Sequence, residues 1–311
     1  MTNLPKIALG AWAWGNDGTF GGRLTAETLR PIFDKAMENG LNLWDTAYAY
    51  GMGTSEKVLA DFLKDLPRDS YLVSDKFTPQ CANTASPTAM KDMIEQQLAL
   101  MALDRFDIYW IHNVWDAPKW TEELARYFEG KEQVPMLGVS NHDLAEIKQA
   151  SEILQAHGLK LSAVQNHYSL LNRSSETSGI LAYCQENDIT FFSYMVLEQG
   201  ALSGQYDTAH PMPAGSARAE SYNPFLDQLE IMNKALRKVA DKYGVGVAQI
   251  PVAWAIAKGT LPIIGVTKVR HVEDAVKAAN VTLTAEEVGE LERVADSLHL
   301  NVIRFWEKEM K

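Results

Sequence analysis

Cysteine is scarce: Cys81 and Cys184 are the only two in 311 residues, and they stand far apart without CxxC spacing or neighbouring His ligands. This argues against a disulfide framework and a zinc site alike, and leaves two plain thiols and no expected metal. Basic runs are missing too. The 29 Lys and Arg are outnumbered by 40 Asp and Glu, for a formal charge of −11, and no Lys/Arg cluster is interleaved with aromatics. Nucleic acid is therefore a poor partner. No apolar run reaches the roughly 18 residues of a membrane span, and the opening Met1-Thr2-Asn3-Leu4-Pro5-Lys6 carries no long apolar region. These absences predict a soluble, cytoplasmic protein. A G-x-G-x-x-G stretch behind a strand is also lacking.

What is present is an apolar fraction of 46%, enough for a large core. Short β-rich runs alternate with amphipathic segments, the pattern of consecutive βα units on a parallel sheet. Strands are predicted at 7–11, 41–45, 71–76, 106–112, 136–140, 163–166, 190–195 and 261–266. Helices are predicted at 25–39, 87–103, 144–157, 224–243, 247–258 and 285–297, with Thr25 and Thr284 as caps and Gly40 and Gly158 as stops. Eight βα units close into a (β/α)8 barrel, an α/β TIM barrel of one domain over 1–311, more economically than they form an open sheet. A doubly wound fold shares the same periodicity. One connection is long: residues 197–223 run through Gly200, Gly204, Pro211, Pro213 and Gly215 with little periodicity. Such loops are usually lids or binding straps.

The chain is organised around Asn42-Leu43-Trp44-Asp45-Thr46-Ala47-Tyr48-Ala49-Tyr50-Gly51, a buried strand followed by an acid, an aromatic hydroxyl and a glycine turn. Successive strand ends then present Asp45, with Tyr50 five residues on, Lys76 and His112. Singly, each has an ordinary explanation: a cap, a half-buried aromatic, a surface lysine, a core histidine. Together they make a proton donor with a tuning system. A nearby ammonium favours the phenolate and lowers the tyrosine pKa, an Asp holds the Lys charged, and a His orients a substrate oxygen.

At these residues the sequence resembles the aldo-keto reductase superfamily, over almost its whole length. The matching tetrad is Asp45 in Trp44-Asp45-Thr46-Ala47, Tyr50 before Gly51, Lys76 in Ser74-Asp75-Lys76, and His112 in Ile108-Tyr109-Trp110-Ile111-His112. Leu137-Gly138-Val139-Ser140-Asn141 looks like the family's nicotinamide-amide motif, which makes Ser140, Asn141 and Gln165 carboxamide partners and Tyr194 the ring on which nicotinamide stacks. The resemblance implies NADPH (NADP+), with NADH as a possible substitute, lying extended across the barrel. Gly10, Ala11, Trp12 and Asp45 would meet its reactive end. Leu197, Gly200, Leu202 and Gly204 would strap its pyrophosphate, and Ile264, Gly265, Thr267, Lys268 and His271 its adenosine phosphate end. Three departures stand out, the first being that Gly265 stands where many members carry a basic residue. Ala275 replaces an Asn that often meets adenine, and Glu198 replaces a usual glycine, putting an acid where a pyrophosphate would repel it unless it turns outward.

The implied reaction is reversible reduction of an aldehyde or ketone with Tyr50 as general acid. His at 112, rather than the Glu of a related branch that reduces steroid double bonds, favours carbonyl chemistry. The loops after the first and fourth strands offer Trp12, Trp14, Phe20 and Trp115 as pocket walls beside Tyr50 and His112, and Phe305 and Trp306 as a flap or wall. Two other readings compete. One is a cofactor-binding regulatory module, since channel-associated β subunits resemble this family; the other is a two-carboxylate hydrolase built on Asp45 and Asp75.

Overall fold

A computed structural model describes residues 4–20, 23–304 and 307–310, so Phe305 and Trp306 lie outside the described residues. Eight parallel strands close into a barrel in chain order: β1 Ala8–Gly10, β2 Leu43–Asp45, β3 Leu72–Phe77, β4 Ile108–Ile111, β5 Met136–Ser140, β6 Leu161–His167, β7 Thr190–Tyr194 and β8 Leu261–Gly265. Closure is made by β1 on β8, with Ala8 opposite Ile263 and Gly10 opposite Gly265. This is the (β/α)8 barrel, and the open-sheet alternative falls.

The strand ends shift by a few residues from the sequence pattern. β4 is shorter than 106–112, yet His112 N still donates to Phe77 O at 3.0 Å, so the mouth keeps strand-like spacing beyond the formal end. β6 is longer than 163–166 because Leu161 pairs with Leu137. The next pair is Gly138 with Ala163, and this bulge bends the strand. Gly138 has a packing reason: a Cβ there would lie 2.3 Å from the Trp110 ring. Trp110 fills the barrel axis with Ala8, Leu43, Ile108, Ala163, Phe192 and Leu261, its ring edge-on to Phe192 at 5.2 Å. A second, larger core lies between sheet and helices, where Trp14, Phe33, Trp44 and Phe62 interlock at 5.0–5.9 Å.

Helix starts follow the capping residues. Thr25 with Thr28, Asp143 with Glu146, and Thr284 with Glu287 form reciprocal boxes that satisfy end N–H groups of the helices Ala26–Glu38, Leu144–Ala156 and Ala285–Ser297. The long connection is not irregular throughout: it holds two 3-10 turns over Glu198–Ser203, separated by a kink at Gln199 and Gly200, and a short helix Ala217–Tyr222 before the helix Leu226–Tyr243. Among the described residues no helix is long and apolar enough to cross a membrane. Cys81 is half-buried, Cys184 is buried, and both are free thiols.

Candidate active site

The turn that carries Tyr50 is set by two glycines. β2 ends at Asp45, and the chain reverses through Tyr50 N to Ala47 O (2.9 Å) and Gly53 N to Tyr48 O (2.8 Å). Gly51 has φ +69, and a Cβ on it would stand 1.9 Å from Gly15 O; a Cβ on Gly15 would stand 2.5 Å from the Tyr50 carbonyl. The segment after β1 is thus pressed against the Tyr50 turn, backbone on backbone. Ser55 Oγ clamps the same junction by donating to Ala11 O at 2.8 Å.

Lys76 is the hub. Its Nζ lies 2.6 Å from Asp45 Oδ2, 2.8 Å from Thr46 O and 3.1 Å from Tyr50 OH, and its side chain is fully buried. Asp45 is fixed from its other oxygen by Ser74 Oγ (2.7 Å) and Gln165 Nε2 (3.2 Å), and Ser74 in turn accepts from the Trp110 indole. Burial works against the Lys76 charge, but Asp45 and Tyr50 outweigh it and raise its pKa. Tyr50 differs from the sequence expectation. Its pKa is raised, because burial outweighs the lowering by Lys76, so the phenol holds its proton at neutral pH and is an acid, not a phenolate. His112 sits edge-on to the Tyr50 ring at 5.9 Å, with Nδ1 2.7 Å from Thr78 Oγ1. Burial, and secondarily the Lys76 charge, lowers its pKa to about 3, so the ring is neutral across the working range.

The tetrad opens into a cavity of about 740 Å³ that runs across the barrel mouth. At one end Trp12, Phe20, Tyr50 and His112 form the wall, with Trp12 stacked on Tyr50 at 5.8 Å and edge-on to Phe20 at 5.0 Å. Gly10, Asp45, Ser140, Asn141, Gln165 and Tyr194 line the cavity beside the tetrad, Gly10 paired with Asp45, Gln165 bonded to Asp45 and Asn141 to His112 O. Leu197 and Gly200 from the long connection, and Ile264, Gly265, Thr267, Lys268, His271 and Ala275 from the end of β8 and the helix behind it, complete the lining.

A sequence model of the "Aldo/keto reductase family" matches residues 6–296. The chain belongs to the aldo/keto reductase family. It is 31% identical to a chloroplastic pyridoxal reductase of Arabidopsis thaliana over 94% of this chain and 84% of that one. It is 27% identical to an NADH-specific methylglyoxal reductase of Escherichia coli strain K12 over 95% and 96%. Among solved structures, a glycerol dehydrogenase of Gluconobacter oxydans superposes with a TM-score of 0.82 at 22% identity, covering 97% of this chain and 94% of that one. An aldo-keto reductase of Klebsiella pneumoniae in complex with NADPH superposes at 0.73 with 23% identity, covering 99% and 95%. This aldo/keto reductase is therefore an NAD(P)H-dependent oxidoreductase.

Several residues singled out in the sequence stand elsewhere in this reductase. Trp14 is buried in the outer core, its indole donating to Val266 O at 2.8 Å, because the 3-10 turn Trp12–Gly15 turns it away from the cavity side that Trp12 faces. Trp115 is 52% exposed and does not line the cavity. Ala11 is buried behind the wall, its N–H on Asp45 O. Leu202 is also buried, and Gly204 packs where a Cβ would touch Val247 at 3.0 Å, so both hold the strap down without lining the cavity. Several lining residues were missed, among them Thr78, Asn113, Gln199 and Arg218; Arg218 lines the cavity from the helix Ala217–Tyr222 and stands over the Tyr206 ring at 5.5 Å. Its Nη1 reaches Gln199 O at 3.4 Å, and its buried Nε has no partner among the described residues. Its only sequence signal was a cation inside a connection already suspected of strapping a ligand.

Glu198 does not turn outward, and it does not line the cavity. It is buried at φ +46, and its carboxylate accepts from His167 Nε2 at 2.7 Å and from the Ser169 and Tyr222 hydroxyls. These bonds compensate for a left-handed conformation that a glycine adopts without cost. His167 is sandwiched, for its Nδ1 lies 2.9 Å from Glu307 Oε2. Burial opposes its charge, but the two carboxylates raise its pKa to about 10. A folded-state pKa above the ordinary 6.5 means the contribution is full below pH 6.5 and lost as pH rises towards 10. Urea unfolding is therefore expected to show stability falling between pH 7 and 10 more steeply in the wild type than in His167→Asn; parallel profiles would show that His167 is not charged in the fold.

Proposed function

We propose that this enzyme reduces an aldehyde or ketone to the alcohol with NADPH, reversibly, and that Tyr50 is its general acid. The observation that carries this is the fully buried Lys76 ammonium, bonded at once to Asp45 and the Tyr50 hydroxyl. The cavity fits the cofactor chemically: amide and hydroxyl groups of Ser140, Asn141 and Gln165 line it beside the tetrad, and Arg218, whose Nε has no partner among the described residues, Lys268, Arg270 and His271 line it as well. Ser140, Asn141 and Gln165 would hold the carboxamide, Tyr194 the nicotinamide face, and Leu197, Gly200 and Arg218 the pyrophosphate. Thr267, Lys268 and His271 would hold the 2′-phosphate. The bound nicotinamide supplies a hydride to the carbonyl carbon.

The protein's own part is the proton. As the carbonyl oxygen gains charge, Tyr50 gives up its phenolic proton to it, and Lys76 stabilises the phenolate left behind. Asp45 keeps Lys76 charged and pointed at the oxygen. When the Thr78 hydroxyl donates into Nδ1, His112 carries its proton on Nε2 and presents a neutral donor to the substrate oxygen. Trp12, Phe20 and the Tyr50 ring offer flat apolar walls to the rest of the substrate.

The intact tetrad favours catalysis over a purely regulatory cofactor-binding role. The hydrolase reading lacks its second acid. Asp75 is buried in the wall, accepts from Gln97, and is pushed well above the ordinary carboxyl range by burial and by Glu56. The two free thiols suit the reducing cytoplasm.

NADPH consumption at 340 nm with a carbonyl panel including pyridoxal and methylglyoxal tests the proposal. Oxidation with at least one carbonyl supports it, and none with any carbonyl, despite bound NADPH, contradicts it. Cofactor choice is tested separately. Lys268→Ala is expected to weaken NADPH about tenfold and leave NADH unchanged, since one phosphate contact is worth about 1.4 kcal/mol. Arg218→Ala should weaken both alike, because both carry the pyrophosphate; dissociation constants that move the other way would misplace the two phosphate subsites.

A further inference from the structure

The end of the chain returns to the mouth of the barrel. Lys308 Nζ lies 2.9 Å from Asp143 Oδ2 at the helix cap behind β5, and Met310 is buried beside Asn166. Arg304 donates to Gln199 Oε1 on the strap at 3.2 Å and stands 4.3 Å over the Tyr222 ring. Between these anchors, Glu307 turns inward with its side chain 1% exposed. Its Oε2 takes His167 Nδ1 and Arg304 N, both at 2.9 Å, and its Oε1 takes the Tyr194 hydroxyl at 2.9 Å.

We infer that Glu307 is a positioning residue for the nicotinamide end of the cavity, holding the Tyr194 ring and drawing its hydroxyl proton away from Asn141. The hydrogen-bond count makes the case. The Tyr194 hydroxyl has one proton and two acceptors, Glu307 Oε1 and Asn141 Oδ1. Asn141 Nδ2 is committed to His112 O at 3.1 Å and Ser140 Oγ at 3.2 Å, so the amide cannot turn over to relieve the shortage. The hydroxyl oxygen lies 2.5 Å from Asn141 Oδ1 and 2.9 Å from Glu307 Oε1, and of these two competing acceptors the carboxylate is the stronger and draws the proton. That leaves Asn141 Oδ1 one donor short, at the edge of the cavity, where an incoming carboxamide NH2 supplies it. His167 stacks on Tyr194 at 5.6 Å and completes the seat. Without Glu307 the Tyr194 proton turns to Asn141, and the acceptor for the carboxamide is lost.

This rests on the reading of Tyr194 and Asn141 as nicotinamide partners, so the test separates the two ideas. Dissociation constants are measured for NADPH and for 2′,5′-ADP, which carries the phosphate end but no nicotinamide. Glu307→Gln is expected to weaken NADPH about tenfold and 2′,5′-ADP less than about twofold, a split that general loosening of the fold would not produce. In a Tyr194→Phe background, which keeps the ring and has no proton to turn to Asn141, Glu307→Gln should add no further loss. Glu307→Ala is the second variant should Glu307→Gln fail to fold. Equal weakening of both ligands by Glu307→Gln, additive losses in the double variant, or unchanged NADPH affinity would each overturn the inference. Tyr194→Ala separates its failure from that of the site. If this variant loses NADPH affinity while Glu307→Gln does not, only the role of the tail falls. If it binds NADPH unchanged, the nicotinamide seat is wrong and both fall.

Discussion

Tyr50→Phe is expected to lower kcat by about 10²–10⁴-fold while the NADPH dissociation constant stays within about twofold. The substitution removes one oxygen from a ring that is otherwise held by Trp12, His112 and the Lys76 ammonium, the last 4.8 Å from its centroid. The wall therefore survives, and only the proton donor is lost. Lys76 keeps Asp45 and Thr46 O as partners, so the buried charge is still compensated and no general loss of stability follows. The raised Tyr50 pKa adds a constraint on pH. The free enzyme holds the proton at neutral pH, so carbonyl reduction should be retained through pH 7 and decline only in alkaline solution, where the acid is lost. Titration of His112, whose pKa is lowered to about 3, should leave no step between pH 5 and 8. Single-turnover rates with saturating NADPH measure this; wild-type rates in the Phe variant would remove Tyr50 from the mechanism.

The second large effect concerns a residue with no side chain. Gly51→Ala places a Cβ 1.9 Å from Gly15 O, in a backbone at φ +69, and nothing in the contact is flexible. The cost should be about 3 kcal/mol or more in urea unfolding, and the surviving folded fraction should turn over poorly because the Tyr50 turn must lift off the segment after β1. Gly158→Ala is the matched control: φ is +70, but a Cβ meets nothing within 4 Å, so only the backbone term of about 1 kcal/mol applies. Equal losses at the two positions would mean that the close approach of Gly15 and Gly51 does not hold the turn.

Much of this was legible in the sequence, for identifiable reasons. Parallel strands buried on both faces read as short apolar runs, and the residue after each run falls at the mouth, so Asp45, Lys76 and His112 could be placed from spacing alone. Their convergence on one ammonium required only that consecutive strands be neighbours. What was hidden depends on partners far away in the chain. Trp12 and Trp14 are two residues apart on one 3-10 turn, and only the packing of Trp14 on Trp44 and Phe62 decides which faces the cavity. Glu198 looked like a misplaced acid because its compensating groups come from the end of β6, from Tyr222 and, through His167, from Glu307 on the tail. Composition cannot report such a network. The net direction of the Tyr50 pKa was missed likewise: the sequence names Lys76 as a neighbour but does not measure burial.

The central claim, that the mouth of this barrel binds a nicotinamide dinucleotide against Tyr50, is tested most directly by titrating the protein with NADPH and with NADH and following tryptophan fluorescence. Trp12 lines the cavity beside Tyr50 and reports on its occupancy. Saturable quenching by NADPH, tighter than by NADH and weakened in Lys268→Ala, is the expected result. Quenching by neither nucleotide would contradict the claim, whatever the arrangement of the tetrad.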